Sequence, residues 1–134
     1  MRLSAELIGS SEQRTNALGE REIVLRGLAI PAIEHLGVTR DAFDAIDLTD
    51  NRLGSLENFP RLNRLSSLKL SGNVVETIDP NNLSKNVHNL VHLDLSHNHI
   101  SSLFQVANLG KAFSKLQFLT LTGNPVTSTF LLCF

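Results

Sequence analysis

His92, Asp94, His97 and His99 form the densest group of side chains in this sequence that could bind a metal ion or transfer protons. Imidazole and carboxylate groups are common zinc ligands, so a metal-dependent enzyme is one function class to weigh. However, His97 and His99 flank Asn98, and no second ligand motif completes a coordination sphere. The sequence also lacks a Gly-rich phosphate loop and a G-x-S-x-G nucleophile turn. We therefore predict a protein that is not an enzyme, without catalytic residues, metal site or cofactor.

The amino-acid composition limits the classes of protein that remain possible. The chain has 134 residues, 42% hydrophobic and 19% charged, which is typical of a globular domain. A single cysteine, Cys133, favours a reducing, intracellular compartment, and no signal-peptide core or membrane-spanning run is visible. The formal net charge of −1 argues against a strongly basic nucleic-acid binder. Any contact with RNA must therefore come from a local patch.

Two kinds of local charge cluster exist. Asp44, Asp47 and Asp50 form an acidic strip suited to a basic partner. Such clusters are usually solvated surface, so their meaning depends on the elements that position them. The basic side chains that could reach phosphate fall into two trios, Arg14, Arg21 and Arg26, and Arg61, Arg64 and Lys69.

Those elements are repeats. Four copies of the frame L-x-x-L-x-L-x-x-N-x-L occur, and their asparagines are 22, 25 and 26 residues apart (73−51, 98−73, 124−98). This spacing is typical of leucine-rich repeats. A degenerate fifth copy precedes them, with Leu28 at the asparagine position. The frame positions are Phe43, Ile46, Leu48, Asn51 and Leu53; Leu65, Leu68, Leu70, Asn73 and Val75; Leu90, Leu93, Leu95, Asn98 and Ile100; and Leu116, Leu119, Leu121, Asn124 and Val126.

The frame predicts an α/β leucine-rich repeat solenoid. In Leu-x-Leu, two leucines point inward from a short strand and the residue between them faces solvent. The inward asparagine satisfies backbone groups that the following turn would leave unpaired. Stacked repeats then share one core, with short parallel strands on the concave face and helices or turns on the convex face. Scattered amphipathic helices would not keep asparagine at a constant offset.

We predict a single domain over residues 1–134. Residues 1–20 form an N-terminal cap, in which a helix and turn over residues 3–18 cover the first repeat, and residues 21–127 form about five repeats. Residues 128–134 are an atypical apolar tail without a full C-terminal cap, so we expect a shortened or alternative C-terminus. We also expect this chain to be less stable, or more prone to self-association, than a capped form.

The concave face is the default binding surface of such a solenoid. Phe118 is a candidate anchor there, although it could instead pack against the tail near Phe130. The outward strand positions are Val24 and Arg26; Ala45, Asp47 and Thr49; Ser67, Lys69 and Ser71; His92, Asp94 and Ser96; and Phe118, Thr120 and Thr122.

Several segments go beyond the repeat frame and resemble a known family. They are Leu3-Ser4-Ala5-Glu6-Leu7-Ile8, Thr15-Asn16-Ala17, Arg21-Glu22, Leu25-Arg26-Gly27, Ile30-Pro31, Ile33-Glu34, Leu36-Gly37, Phe43-Asp44-Ala45-Ile46-Asp47, Asp50-Asn51 and Asn124-Pro125-Val126-Thr127. With these segments nearly the whole chain resembles the U2 small nuclear ribonucleoprotein A-prime family of leucine-rich repeat proteins. Members of that family continue with a basic and aromatic capping segment, whereas residues 128–134 depart from it.

The resemblance implies a nuclear, spliceosomal protein whose concave face binds the helical side of an RRM-containing B-double-prime-like protein. The pair then binds a stem-loop of U2 small nuclear RNA, mainly through the partner. The alternative is a general intracellular leucine-rich repeat adaptor, regulating a phosphatase or a motor, because one fold serves many partners. Carried onto this sequence, the partner-binding residues would be Asp44, Asp47, Thr49, Lys69, His92, Asp94, Phe118 and Thr120, and Arg21 and Arg26 would approach RNA phosphates.

Overall fold

The computed structural model describes residues 1–126, which form one strand per repeat joined by helices or irregular chain. The α-helices are α1 (Ala5–Ser10), α2 (Pro80–Asn86) and α3 (Leu103–Ala112), and a 3-10 helix covers Leu36–Thr39. The strands are β1 (Glu12–Thr15), β2 (Arg21–Val24), β3 (Ala45–Asp47), β4 (Ser67–Lys69), β5 (His92–Asp94) and β6 (Phe118–Thr120).

The strands form one sheet in chain order, and β2 through β6 are parallel to one another. The register places the central apolar residue of each strand beside its equivalent in the next repeat. These central residues are buried in the first four repeats and partly buried in the last, where Leu119 lies against the core. The predicted solenoid is therefore confirmed, with its core between the sheet and the convex segments. The aligned residues are Ile23, Ile46, Leu68, Leu93 and Leu119.

The repeat asparagines connect neighbouring repeats, as the frame predicts. Asn73 Nδ2 donates to the Leu70 carbonyl of its own repeat and to the Leu48 carbonyl of the preceding one, both at 3.0 Å. Its Oδ1 accepts the Leu53 N–H, again from the preceding repeat. Equivalent bonds are made by Asn51, Asn98 and Asn124. Each asparagine thus satisfies buried backbone groups on both sides of a repeat junction.

The turns that follow the strands share a backbone conformation, with one residue of each turn in the left-handed region. Gly27, Asp50, Gly72, His97 and Gly123 all adopt positive φ, between 54° and 78°. A side chain at Gly72 would have its Cβ 2.2 Å from Asp50 Oδ1, and one at Gly123 would lie 2.3 Å from His97 Nδ1. Glycine alternates with larger residues along these five turns, and the Asp50 and His97 side chains occupy the space that a side chain at Gly72 or Gly123 would need.

The convex helices close the core. Ser102 caps α3 by accepting the Gln105 N–H, and Asp79 caps α2 by accepting the Asn82 N–H ahead of Pro80. Leu103 on this side is only partly buried. The buried apolar residues on this side include Ile33, Leu36, Leu56, Phe59, Ile78, Leu83, Val106 and Leu109.

The N-terminal cap differs from the predicted helix and turn. Helix α1 is present, and Leu3 and Ile8 are buried against the first repeat. Residues Glu12–Thr15, however, form an antiparallel hairpin with β2, which adds a strand to the sheet edge. Ala17 and Leu18, expected to cover the core, are exposed in the loop of this hairpin because the strand carries them away from the edge.

The predicted tail, residues 128–134, lies outside the described residues, and so does any contact of Phe118 with Phe130. None of the helices in residues 1–126 has the length and apolar character to cross a membrane.

Candidate functional site

The parallel register arranges the concave face in three rows that run across the strands. The first row contains Glu22, Ala45, Ser67, His92 and Phe118. The second row contains Val24, Asp47, Lys69, Asp94 and Thr120. A third set, Arg26, Thr49, Ser71, Ser96 and Thr122, follows two residues further along each chain segment.

The half of this face nearest the N-terminus is closed. Asp47 is 2% exposed and Thr49 is 9% exposed, so the prediction that both face solvent is wrong. Arg14 extends from β1 towards this region, with its Nη2 3.9 Å from Asp47 Oδ2. The Asp47 carboxylate also turns back to accept the Thr49 N–H at 3.0 Å. The hairpin strand β1, which the sequence did not predict, brings the arginine that covers Asp47.

A buried carboxylate lies at the centre of the closed half. Glu22 is fully buried, and its two oxygens are held by Arg14 Nε at 2.9 Å and Lys69 Nζ at 2.6 Å. The Glu22 hydrogen bond and charge raise the pKa of Arg14 above its ordinary value. Ala45 stands between Glu22 and β4, and its small side chain lets Lys69 reach across. Sequence reasoning missed Glu22, although extending the alternating outward pattern of β2 back by two residues from Val24 would have found it.

The loop of the β1–β2 hairpin, residues 16–20, packs against the concave face. Asn16 Oδ1 accepts the N–H groups of Leu18 and Glu20, which closes the loop. The Glu20 carboxylate then accepts hydroxyl hydrogens from Ser66 at 2.6 Å and Ser67 at 2.9 Å. These bonds join residues 46 and 47 positions apart, so no local pattern could have predicted them.

Glu20 is charged in the folded protein. Burial raises the pKa of its carboxyl, but hydrogen bonds from Ser66, Asn16 and Ser67, with a smaller effect of His92, outweigh burial and hold the pKa below its usual range. The donors are neutral, so they keep the carboxylate ionised without cancelling its charge.

The open half of the face carries an aromatic pair. His92 and Phe118 stack with ring centroids 4.6 Å apart and planes 5° from parallel, and Phe118 remains 55% exposed. Between this pair and the hairpin loop lies a cavity of about 230 Å³, and Leu18 forms part of its opposite wall. The structure thus brings five predicted site residues to one open surface. They are Lys69, His92, Asp94, Phe118 and Thr120.

The predicted acidic strip does not exist as an open surface. Asp44 lies before β3, outside the three rows, and accepts Arg64 Nε at 2.8 Å and the Arg21 N–H at 2.9 Å. Those two contacts lower the pKa of the Asp44 carboxyl. Asp47 is buried, and Asp50 lies in a turn above Gly72. Asp44, Asp47 and Thr49 therefore do not join the open surface.

The two arginines predicted to approach phosphate have different surroundings. Arg21 is exposed, but its guanidinium lies 5.2 Å from the Phe43 ring centroid and donates to Gln13 Oε1 at 3.2 Å. Arg26 is exposed and makes no ion pair with residues 1–126. Both lie on the first repeat, at opposite ends of β2.

The group of His92, Asp94, His97 and His99, considered above as a possible metal site, does not form one. Within residues 1–126, no three His, Cys, Asp or Glu side chains are placed to hold a metal ion. His92 stacks on Phe118, whereas His97 lies in a turn against Gly123.

Comparison with known proteins agrees with this architecture. A leucine-rich repeat family model matches residues 1–130. The chain is 46% identical over 127 residues to the U2 small nuclear ribonucleoprotein A' of Mycosarcoma maydis, and 40% identical over 128 residues to that of Homo sapiens. These matches cover 95% and 96% of this chain and 51% and 49% of those relatives. The chain therefore spans about half the length of the curated relatives it matches.

A solved structure extends the likeness to three dimensions. A chain of the crystal structure of the Drosophila melanogaster SNF/U2A' complex matches with a TM-score of 0.89 and 43% identity. The match covers 94% of this chain and 71% of that one. Together with the four asparagine repeats and the solenoid that they form, these likenesses show that the chain belongs to the U2 small nuclear ribonucleoprotein A' family of leucine-rich repeat proteins.

Proposed function

We propose that this protein is a non-catalytic scaffold of the U2 small nuclear ribonucleoprotein in the nucleus. It binds an RRM-containing B-double-prime-like protein through its concave face and helps that partner bind a stem-loop of U2 small nuclear RNA during pre-mRNA splicing. The observation that carries the proposal is the match to a structure of an SNF/U2A' complex, at a TM-score of 0.89.

The open half of the concave face supports a protein partner. It combines an exposed aromatic ring, a concave apolar cavity and charged side chains within three adjacent strands. Aromatic anchors in concave sites carry much of the energy of protein interfaces. The partner-binding residues in this proposal are Lys69, His92, Asp94, Phe118 and Thr120, with Asp44, Asp47 and Thr49 supporting the surface from beneath or from its edge.

RNA contact is proposed to be secondary. The formal charge of the chain is −1, and within residues 1–126 the aromatic rings are phenylalanine and histidine only. Sequence-specific reading of single-stranded RNA relies on base stacking and base-edge hydrogen bonds, which suit the sheet of an RRM. This chain contributes phosphate contacts from Arg21 and Arg26, and the Arg21 side chain already contacts Phe43 and Gln13.

Binding measurements test the proposal. SNF, the protein in complex with U2A' in the matched crystal structure, serves as the partner. The chain is titrated with SNF, with the U2 stem-loop alone, and with both, at two salt concentrations. We expect tight binding to SNF, weak binding to RNA alone, and a ternary complex whose affinity for RNA falls more steeply with salt than that of SNF alone. Replacing Arg26 with Gln should reduce that salt dependence by about one phosphate contact.

A matched control is Arg52→Gln, which removes an exposed arginine from outside the three rows. If folded protein does not bind SNF, the scaffold proposal fails, and a general leucine-rich repeat adaptor becomes the better description. If SNF binds but RNA affinity is unchanged by the chain, the role in RNA binding fails and the protein scaffold stands.

A further inference from the structure

A second surface is formed by the four segments that lead into strands β3 to β6. The Asp41 carboxylate of the first segment accepts the Arg64 N–H of the second at 3.0 Å. Asn89 links the next two, since its Nδ2 donates to the Asn63 carbonyl at 2.7 Å and its Oδ1 accepts Lys115 Nζ at 2.8 Å. These contacts make one continuous surface, which we call the entry flank. It comprises residues 38–44, 61–66, 85–91 and 111–117.

The entry flank is basic although the whole chain is not. Its segments contain six arginines and lysines and two carboxylates, Asp41 and Asp44, a difference of four, whereas the chain has a formal charge of −1. Asp44 holds Arg64, at 2.8 Å from Nε. Among residues 1–126, no carboxylate lies within 4.0 Å of the other five cations, and all five are exposed. They are Arg40, Arg61, Lys85, Lys111 and Lys115.

A pocket of about 300 Å³ opens at the N-terminal end of the entry flank, between α1, the 3-10 helix and the β1–β2 hairpin. The buried apolar residues in its lining include Ile8, Ile23 and Phe43, and Val38 beside them is 49% exposed. Val38 and Phe43 belong to the first segment of the flank, so the pocket and the cations form one surface. Such a pocket suits one large apolar side chain.

The pocket faces away from the concave surface. Gln13 and Arg21 line it, and along the hairpin they alternate with Arg14 and Glu22, which lie on the concave side. Because successive side chains of a strand point to opposite faces, Gln13 and Arg21 lie on the reverse face of the hairpin. A segment bound in the pocket therefore does not occupy the concave face.

The lining of the pocket favours a protein ligand over RNA. RNA phosphates would satisfy the cations, but single-stranded bases are bound by stacking on accessible rings. Phe43 is only 6% exposed, and the Arg21 guanidinium lies over it, 5.2 Å from the ring centroid. The other apolar residues of the lining are aliphatic. An apolar side chain fits this lining better than a base does.

The spacing of the repeats sets the length of the ligand. Neighbouring strands are about 4.8 Å apart, so the three steps from the first segment of the entry flank to the last span about 14 Å. An extended chain covers that distance in about four to five residues, at about 3.3 Å each.

We propose that the entry flank binds an extended acidic segment of a second protein. One large apolar side chain of that segment occupies the pocket, and the aspartates or glutamates of the adjoining residues pair with the exposed cations. The site goes beyond the proposed function and does not depend on it, because it requires neither the concave face nor RNA.

Fluorescence anisotropy with labelled peptides tests the proposal on the full chain. The probes are GSFDEDEGS and GSEDEDFGS, which place the apolar residue before or after the acids. We expect at least one of them to bind, with an affinity that falls as salt rises, because salt screens exposed charges. Replacing its phenylalanine with serine, or its acids with asparagine and glutamine, should weaken binding by about tenfold.

Variants with matched controls locate the bound peptide. Lys85→Gln and Lys111→Gln should each weaken binding several-fold and together about tenfold, with a flatter dependence on salt. Arg52→Gln removes an exposed cation outside the entry flank and should leave binding unchanged. Val38→Ser should weaken binding several-fold, whereas Val74→Ser, at a 41% exposed valine outside the flank, should not. SNF binding should be unchanged in every variant, and thermal unfolding checks that each is folded.

Several outcomes would overturn the proposal. If the serine peptide binds within twofold of the phenylalanine peptide, the pocket is not used. If U2 stem-loop RNA alone binds more tightly than either peptide and loses affinity in the same lysine variants, the flank is a phosphate surface. If neither peptide binds the folded chain, or if the same variants weaken SNF binding equally, the flank is not a separate peptide site. Peptide binding that persists while SNF fails to bind would support this site and overturn the proposed function.

Discussion

At the scale of single residues, the repeat asparagines do more than occupy a motif position. Asn73 is 3% exposed and satisfies two carbonyls and one N–H belonging to two repeats. A leucine there would fit the apolar surroundings but leave those three groups unpaired.

Asn73→Leu should therefore lower the free energy of unfolding by at least 3 kcal/mol, at roughly 1–3 kcal/mol for each unpaired group. Asn124→Leu is the comparison, because Asn124 is only partly buried and its groups can reach water. Urea unfolding of the two variants checks the difference. Equal losses would mean that burial does not set the cost.

A second residue-scale prediction concerns the left-handed turns. Gly72→Ala should destabilise the protein by about 2 kcal/mol, because it combines a disfavoured φ with the contact against Asp50. Gly27→Ala has a similar φ, of 66°, but nothing within 4 Å of the added carbon, so it should cost only about 1 kcal/mol.

Adding Asp50→Gly to the Gly72 variant separates the two causes. The loss caused by Gly72→Ala should shrink to that of Gly27→Ala once the aspartate side chain is gone. Thermal unfolding of Gly27→Ala, Gly72→Ala, Asp50→Gly and the double variant measures this, and an unchanged loss on adding Gly72→Ala to Asp50→Gly would show that φ alone is responsible.

At the scale of elements, the hairpin and sheet are joined by an ionic network. Lys69→Met should lower the free energy of unfolding by about 2–3 kcal/mol, since Glu22 would stay buried with Arg14 as its one remaining cation. Glu22→Gln in the same background should recover part of the loss, because it removes the buried charge. If the double variant is instead less stable than Lys69→Met, Glu22 matters mainly through its hydrogen bonds.

How far each element could be predicted follows from the range of the interactions that form it. Strands β3 to β6 and their asparagine turns were predictable because leucines at period two and one asparagine are local signals. Strand β1 was not, because Glu-Gln-Arg-Thr has no apolar alternation and pairs at the sheet edge. The burial of Asp47 and the anchoring of Glu20 both depend on that hairpin. The structure brings the predicted residues of β4 to β6 to one open surface, whereas Asp47 and Thr49 are buried, and partner binding by any of them stays a prediction.

At the scale of the whole molecule, acid should weaken the fold through two carboxyls. The pKa values of Glu20 and Asp44 are both lowered in the folded protein. A carboxyl of this kind stabilises the fold fully above its unfolded pKa, which is about 4, and the contribution is lost as pH falls through the folded value. The urea midpoint should therefore fall between pH 5 and pH 3.

The double variant Glu20→Gln, Asp44→Asn should show a smaller fall over the same range, although it starts from lower stability at pH 7. Glu57→Gln, outside both networks, should follow the unaltered chain. A double variant whose urea midpoint falls as steeply as that of the unaltered chain would place the acid sensitivity elsewhere in the molecule.

The alternation of glycine and larger residues in the turns has an evolutionary meaning. A mutation that introduces a side chain at position 72 costs more stability while position 50 carries aspartate than after position 50 has become glycine, and position 123 depends in the same way on position 97. The order of mutations therefore affects their cost, and each pair should co-vary among descendants. Position 27 has no such neighbour and should vary without reference to position 50.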